Sequence, residues 1–176
     1  MHDFSELANR CTAFTLYSLK EVHEKTIEAL QTSGATSLVK TLQMIRLEKA
    51  ILVVGMFSIF DAILQDRLDC SNGFAEAKII LKEGGETELL EQFTDYELSI
   101  NAVKHGKGKS YNQLIAKDTI SIKAIVKKPD EYFFFEGDVS EISGLVEVDD
   151  EFIENCSLVI ARVSRAIQKI KPGVYF

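Results

Sequence analysis

A chain of 176 residues with 46% apolar content is long enough to bury one substantial core, and no compositional break divides it, so it reads as a single domain over 1–176. A formal charge of −7 and a pI near 5.1 exclude broad non-specific binding to nucleic acid or anionic membrane, so any phosphate contact has to be local. The three cysteines, Cys11, Cys70 and Cys156, lie far apart and form no CxxC pair, which argues against a disulfide framework or a zinc site and for buried, reduced thiols in a cytoplasmic protein.

The first residues, Met1 to Glu6, lack the basic and apolar regions of a signal peptide. Asp3 is placed to cap a first helix that carries Phe4, Leu7, Cys11, Phe14 and Tyr17 at helical intervals and runs toward Leu30, with Gly34 as its stop. A second helix follows over about 37–68, with Leu38, Leu42, Ile45, Leu52, Met56, Ile59 and Ile63 on one stripe. Between Ile51 and Phe60 it is apolar all round, which predicts a place at the centre of the fold. Its most apolar run, 50–64, is shorter than the roughly 20 residues of a membrane span and contains Asp61, so no membrane partner is expected.

Asp69 to Gly73 breaks the pattern, and a short helix over 74–81 precedes the turn at Glu83, Gly84 and Gly85. Helical spacing resumes over 87–105 through Leu89, Phe93, Tyr96, Ile100 and Val103. Glu97, Asn101 and His105 are spaced by four on this helix and so share one face. Gly106 and Gly108 then stop it, with a loop expected beyond. From Thr119 the period changes to two: Ile120, Ile122, Ala124 and Val126 alternate with Ser121 and Lys123, which predicts a strand. Further β-prone runs at 132–135 and 145–148 make this a small antiparallel insertion over about 119–148. A last helix, capped by Asp149 or Asp150, turns Phe152, Cys156, Val159, Val163, Ile167 and Ile170 inward and closes at Lys171, Pro172 and Gly173.

The chemistry concentrates at the end of the 87–105 helix, where Lys104, His105, Lys107 and Lys109 put four cationic or titratable groups within six residues. Charge is distributed unevenly around it: between Lys104 and Lys128 seven lysines stand against Asp118 alone, and from Asp130 to Glu154 every charged residue is acidic. The asymmetry reads either as a site for an anionic ligand or as two solvated surfaces that neutralise each other. A helix C-terminus stabilises an imidazolium, which suits His105 to acid/base work, although a lone histidine there is more often a cap. Asn101 one turn back and Lys104 beside it favour the functional reading. A P-loop is excluded, because Val103 stands where the first glycine belongs and a helix rather than a strand comes before. His2, His23 and His105 form no HxxxH or HxxE pair and there is no GxSxG, so neither a metal centre, a cofactor site nor a nucleophile elbow is indicated.

The run Asn101-Ala102-Val103-Lys104-His105-Gly106, with the helical order around it, resembles the HEPN (higher eukaryotes and prokaryotes nucleotide-binding) domains, whose R-x4-6-H motif is often written Arg-Asn-x-x-x-His followed by glycine. Phe57 to Leu64 resembles the family's core-helix pattern of a serine and an aromatic followed by an acidic residue, here Asp61. The resemblance implies a mainly α fold, a bundle of four to five helices completed by the last helix, with the β-prone segment as an insertion. It also implies metal-independent RNA cleavage without a cofactor, at a homodimer interface, as in toxin–antitoxin and antiphage systems. Carried onto this chain, His105 would be the acid/base, Asn101 would orient it, Asp61 would buttress it, and Lys104, Lys107 and Lys109 would hold phosphate. The chain departs from the motif at Ile100, which stands where the arginine belongs, and no arginine occurs between Arg67 and Arg162. Loss of one such donor costs about 3 kcal/mol of transition-state stabilisation, roughly a hundredfold in rate, and a lysine lacks the planar fork of a guanidinium. Two functions follow: an atypical endoribonuclease or RNA-binding component, with an antitoxin or defence protein as partner, and a non-catalytic dimerisation or adaptor domain that binds a protein.

Overall fold

The structure, a computed structural model, describes residues 3–129 and 144–176. Six helices account for most of these: α1 (Phe4–Leu30), α2 (Thr36–Leu68), α3 (Gly73–Glu83), α4 (Thr87–His105), α5 (Lys109–Ile115) and α6 (Asp150–Ile170). Their caps follow from the local chemistry. The Asp3 carboxylate accepts from Ser5 N at 2.8 Å, the Asn72 carboxamide from Ala75 N at 3.0 Å, and the Asp149 carboxylate from Phe152 N at 2.7 Å. α2 ends where Asp69 takes the left-handed conformation at φ 50°, which an aspartate tolerates better than most residues. Among the described residues no helix is long and apolar enough to cross a membrane.

The mainly α class therefore holds, with differences from the expected arrangement. Lys109–Ile115 forms a helix where a loop was expected, because Tyr111 and Leu114, three residues apart, both bury against the core. The alternation from Ile120 to Val126 does turn Ile120, Ile122, Ala124 and Val126 toward the core and leaves Ser121, Lys123 and Ile125 more exposed, with the Ser121 hydroxyl reaching back to Asp95, so the segment has the period of a strand. It makes no sheet among the described residues: its partner contact is a single antiparallel bridge, Val126 with Val146, flanked by Lys127 N to Leu145 O at 2.8 Å and Glu147 N to Ile125 O at 2.9 Å. The β-prone run at 132–135 and most of the acidic stretch lie outside the described residues.

The most deeply buried helix is α6, which touches α1, α2, α3 and α4 and buries Phe152, Ile153, Cys156, Ile160, Val163 and Ile167 among them. α2, expected at the centre, also touches four helices, α1, α3, α4 and α6. One face of α2 does enter the core through Val53, Phe57, Phe60 and Leu64, but the opposite face is uncovered, with Ile51 60% and Ile59 54% exposed. An apolar surround cannot say which of its faces the other helices will reach. At the heart of the core, Phe57, Phe60, Phe74 and Phe93 pack with ring centroids 4.6–6.4 Å apart, tilted or edge-on. The α1–α2 hairpin extends past this core and carries a small second one, Leu19, Leu42 and Ile45 with Leu30 against them. The cysteines differ as well: Cys156 is buried, whereas Cys11 is exposed and Cys70 half-buried, all three as free thiols.

Candidate functional site

A crevice of about 320 Å³ opens between α2, the start of α3 and α4. From α2 it takes Phe57, Ser58, Asp61 and Gln65; from the following turn, Ser71 and Asn72; from α3, Phe74. α4 contributes Glu97, Ile100, Asn101 and Lys104, spaced so that one helix face supplies all four. Tertiary folding thus joins Asp61 to Asn101 and Lys104, forty and more residues later in the chain.

The crevice exists because α3 starts hard against α2. A Cβ added at Gly73 would stand 2.6 Å from Asp61 O and 2.6 Å from Leu64 Cβ, so only glycine allows this approach. Asp61 sits at that junction. Its Oδ1 accepts from Phe74 N at 3.1 Å, at the start of α3, and its Oδ2 from Gln65 Nε2 at 2.8 Å. A carboxylate at a helix N-terminus is stabilised by the dipole as well as by the hydrogen bond, so Asp61 holds two helices together. Glu97 pairs with the Lys78 ammonium of α3; its Oε2, enclosed by protein, meets that charge without a well-angled hydrogen bond.

The remaining polar groups of the crevice are uncommitted. Among the described residues Asn101, Lys104, Ser58 and Ser71 make no side-chain hydrogen bond or ion pair, while Asn101 is half-buried and Lys104 exposed at the mouth. Ile100, at the position of the motif arginine, is 3% exposed and forms apolar floor with Phe57 and Phe74.

His105 is the last residue of α4; it is exposed and does not line the crevice, although Asn101 lies one turn before it on the same helix. Gly106 at φ 72° turns the chain at this point, so Lys107 and Lys109 follow on the exposed α4–α5 corner. The lysine-rich stretch is in part spent: Lys117 pairs with Asp95, and Lys123 with Glu151 at 2.7 Å. The Glu151 carboxylate beside Lys123 raises that ammonium's pKa. Lys104, Lys107 and Lys109 make no ion pair among the described residues.

Sequence reasoning passed over Asp95. Its side chain is fully buried; Oδ1 accepts from the Lys117 ammonium, and Oδ2 from Ser121 N at 2.7 Å and Ser121 Oγ at 2.8 Å. It ties the 117–121 segment to α4 and so steadies the back of the helix that carries Asn101. The available signal was an acidic residue next to Tyr96 on the apolar side of α4. Comparison with models of protein families, with curated proteins and with solved structures finds no match for this chain.

Proposed function

We propose that the chain is an RNA-binding protein of the HEPN type, with metal-independent cleavage that is slow for want of the motif arginine, acting in a toxin–antitoxin or antiphage system. The observation that carries this reading is the meeting of Asp61 and Asn101, two positions matched to the family pattern, with the Lys104 ammonium in one crevice, His105 standing just outside it. In the reaction a ribose 2′-hydroxyl attacks the adjacent phosphate, and the 5′-oxygen leaves. Lys104 offsets charge on the phosphate at the mouth, and Lys107 and Lys109 add a cationic rim. His105, exposed at the corner, exchanges a proton with the reacting oxygens. Ile100 supplies no charge, so stabilisation of the phosphorane is weak.

Incubation of the pure protein with end-labelled single-stranded RNA in EDTA tests this. Expected are binding weakened by Lys104→Ala and slow cleavage abolished by His105→Ala. Cleavage unchanged in His105→Ala rejects the catalytic assignment, and absence of binding rejects the whole reading.

The outer face of α2 favours a second reading, a homodimerising or adaptor domain. Met44, Leu47, Ile51 and Ile59 expose 45–60% of their surface along one stripe, and Gly55 lies among them with open space around it. A second copy laid antiparallel across residue 53 sets Ile51 over Gly55, Leu47 against Ile59 and Lys40 opposite Asp66, a self-complementary arrangement. Ser58 belongs both to this face and to the crevice, so the two readings are compatible.

A further inference from the structure

We infer that the crevice between α2 and α4 is a pocket for one unpaired nucleobase, with the phosphate of that nucleotide held at its mouth by Lys104. The inference rests on the RNA-binding reading and names what that site takes.

Three observations carry it. The first is the commitment of the polar groups. Asp61 accepts from Phe74 N and Gln65, Asn72 accepts from Ala75 N, and Glu97 is offset by the Lys78 charge although its enclosed Oε2 accepts no hydrogen bond. Left over among the described residues are the Asn101 carboxamide, the Lys104 ammonium and the Ser58 and Ser71 hydroxyls, and of these the carboxamide and the ammonium share the α4 face. A half-buried carboxamide without partners offers one donor and one acceptor side by side, the pattern with which asparagine pairs with a base edge. Lys104 follows three residues later on the same helix face, about 5–6 Å away between Cβ atoms, so one nucleotide can meet both.

The second is the floor. Phe74 is half-buried in the crevice wall, with Phe57 at 4.6 Å and Phe93 at 5.2 Å fixing its ring. A fixed aromatic ring beside a hydrogen-bonding edge is the usual means of holding a splayed-out base of single-stranded RNA. Ile100, almost wholly buried, closes the crevice beneath Phe74 with an apolar side chain where a guanidinium would have carried charge, and the rest of the exposed lining is largely polar.

The third is size and charge. A volume of about 320 Å³ is at the lower end of small-molecule pockets and suits one base with its ribose, not a duplex. The two carboxylates of the wall are already offset, Glu97 by Lys78 and Asp61 by the start of α3. The protein's charge of −7 opposes a long phosphate track. Affinity therefore has to come from the base, with few phosphate contacts.

Fluorescence anisotropy of the intact protein decides this, using a labelled single-stranded oligoribonucleotide, the same strand made abasic throughout, and its duplex. Expected is tight binding to the intact strand alone, weakened at least tenfold by abasic substitution, by duplex formation and by Asn101→Ala. The slope of log K against log salt should be no steeper than about −2, the value for three lysine contacts to a single strand. Equal affinity for intact and abasic strands, or a steeper slope, overturns the base pocket while RNA binding stands. No affinity for any strand overturns both. The abasic comparison uses the unaltered protein, so it holds even if Asn101→Ala misfolds.

Discussion

Asp95 has no exposed surface, yet it lies outside the crevice, and its three hydrogen bonds identify it as an anchor for the chain beyond α5. Asp61 lies in the crevice and is equally occupied. At the scale of single residues, a polar group's position therefore says less about chemistry than whether its donors and acceptors are already partnered, and by that measure Asn101 and Lys104 stand out. Cys156 offers a separate test of the core. Burial raises its thiol above the ordinary value of 9.0, so the folded thiol stays protonated where the unfolded one ionises. The stabilisation is complete below pH 9 and is lost as pH rises further, because the unfolded state then binds fewer protons. Above that pH, wild type should lose stability faster than Cys156→Ala by about 1.4 kcal/mol per pH unit. Urea unfolding in reducing buffer at several alkaline pH values measures this, and parallel profiles would contradict it.

Among the elements, α3 depends most on one small contact. Its first residue, Gly73, lies against the α2 backbone, and the bond from Phe74 N to Asp61 follows from that approach. Gly73→Ala should push α3 outward, lower stability by about 1–3 kcal/mol and reshape the crevice that Phe74 and Asn72 line. Thermal unfolding and RNA affinity, measured on the same variant, are expected to fall together. A variant as stable as wild type would show that the junction is looser than described. α5 and the extended segment after it teach a related point: burial of Tyr111 and Leu114 makes a helix of a short polar stretch, whereas regular alternation from Ile120 to Val126 meets a single bridge among the described residues.

At the scale of the molecule, α6 is the most deeply buried helix and the outer side of α2 is left in water. Gly55 is central to what that side does. Among the described residues nothing lies within 4 Å of the place its Cβ would take, so their packing does not require glycine there. Gly55→Ala should stabilise the monomer by about 1 kcal/mol through helix propensity, yet weaken self-association by filling the space for Ile51 of a second copy. Ile51→Glu, on a side chain 60% exposed, should leave thermal stability unchanged and yield a monomer. Light scattering on both variants reads the outcome, and a wild-type protein that is monomeric at high concentration excludes this dimer.

The sequence by itself determined where α1, α3 and α6 begin and where α4 ends, since Asp3, Asn72 and Asp149 cap their own following turns through short-range hydrogen bonds and Gly106 supplies backbone freedom. It also determined that Glu97 and Asn101 share a face of α4, because helical geometry alone sets that. Only the tertiary structure decided that α2 keeps one apolar face exposed while α6 is buried, that Asp61 is a strut between helices, and that His105 stands outside the crevice which Asn101 and Lys104 line. Those outcomes depend on which faces meet at long range. Apolar periodicity marks a face as fit for burial but carries no record of its partner.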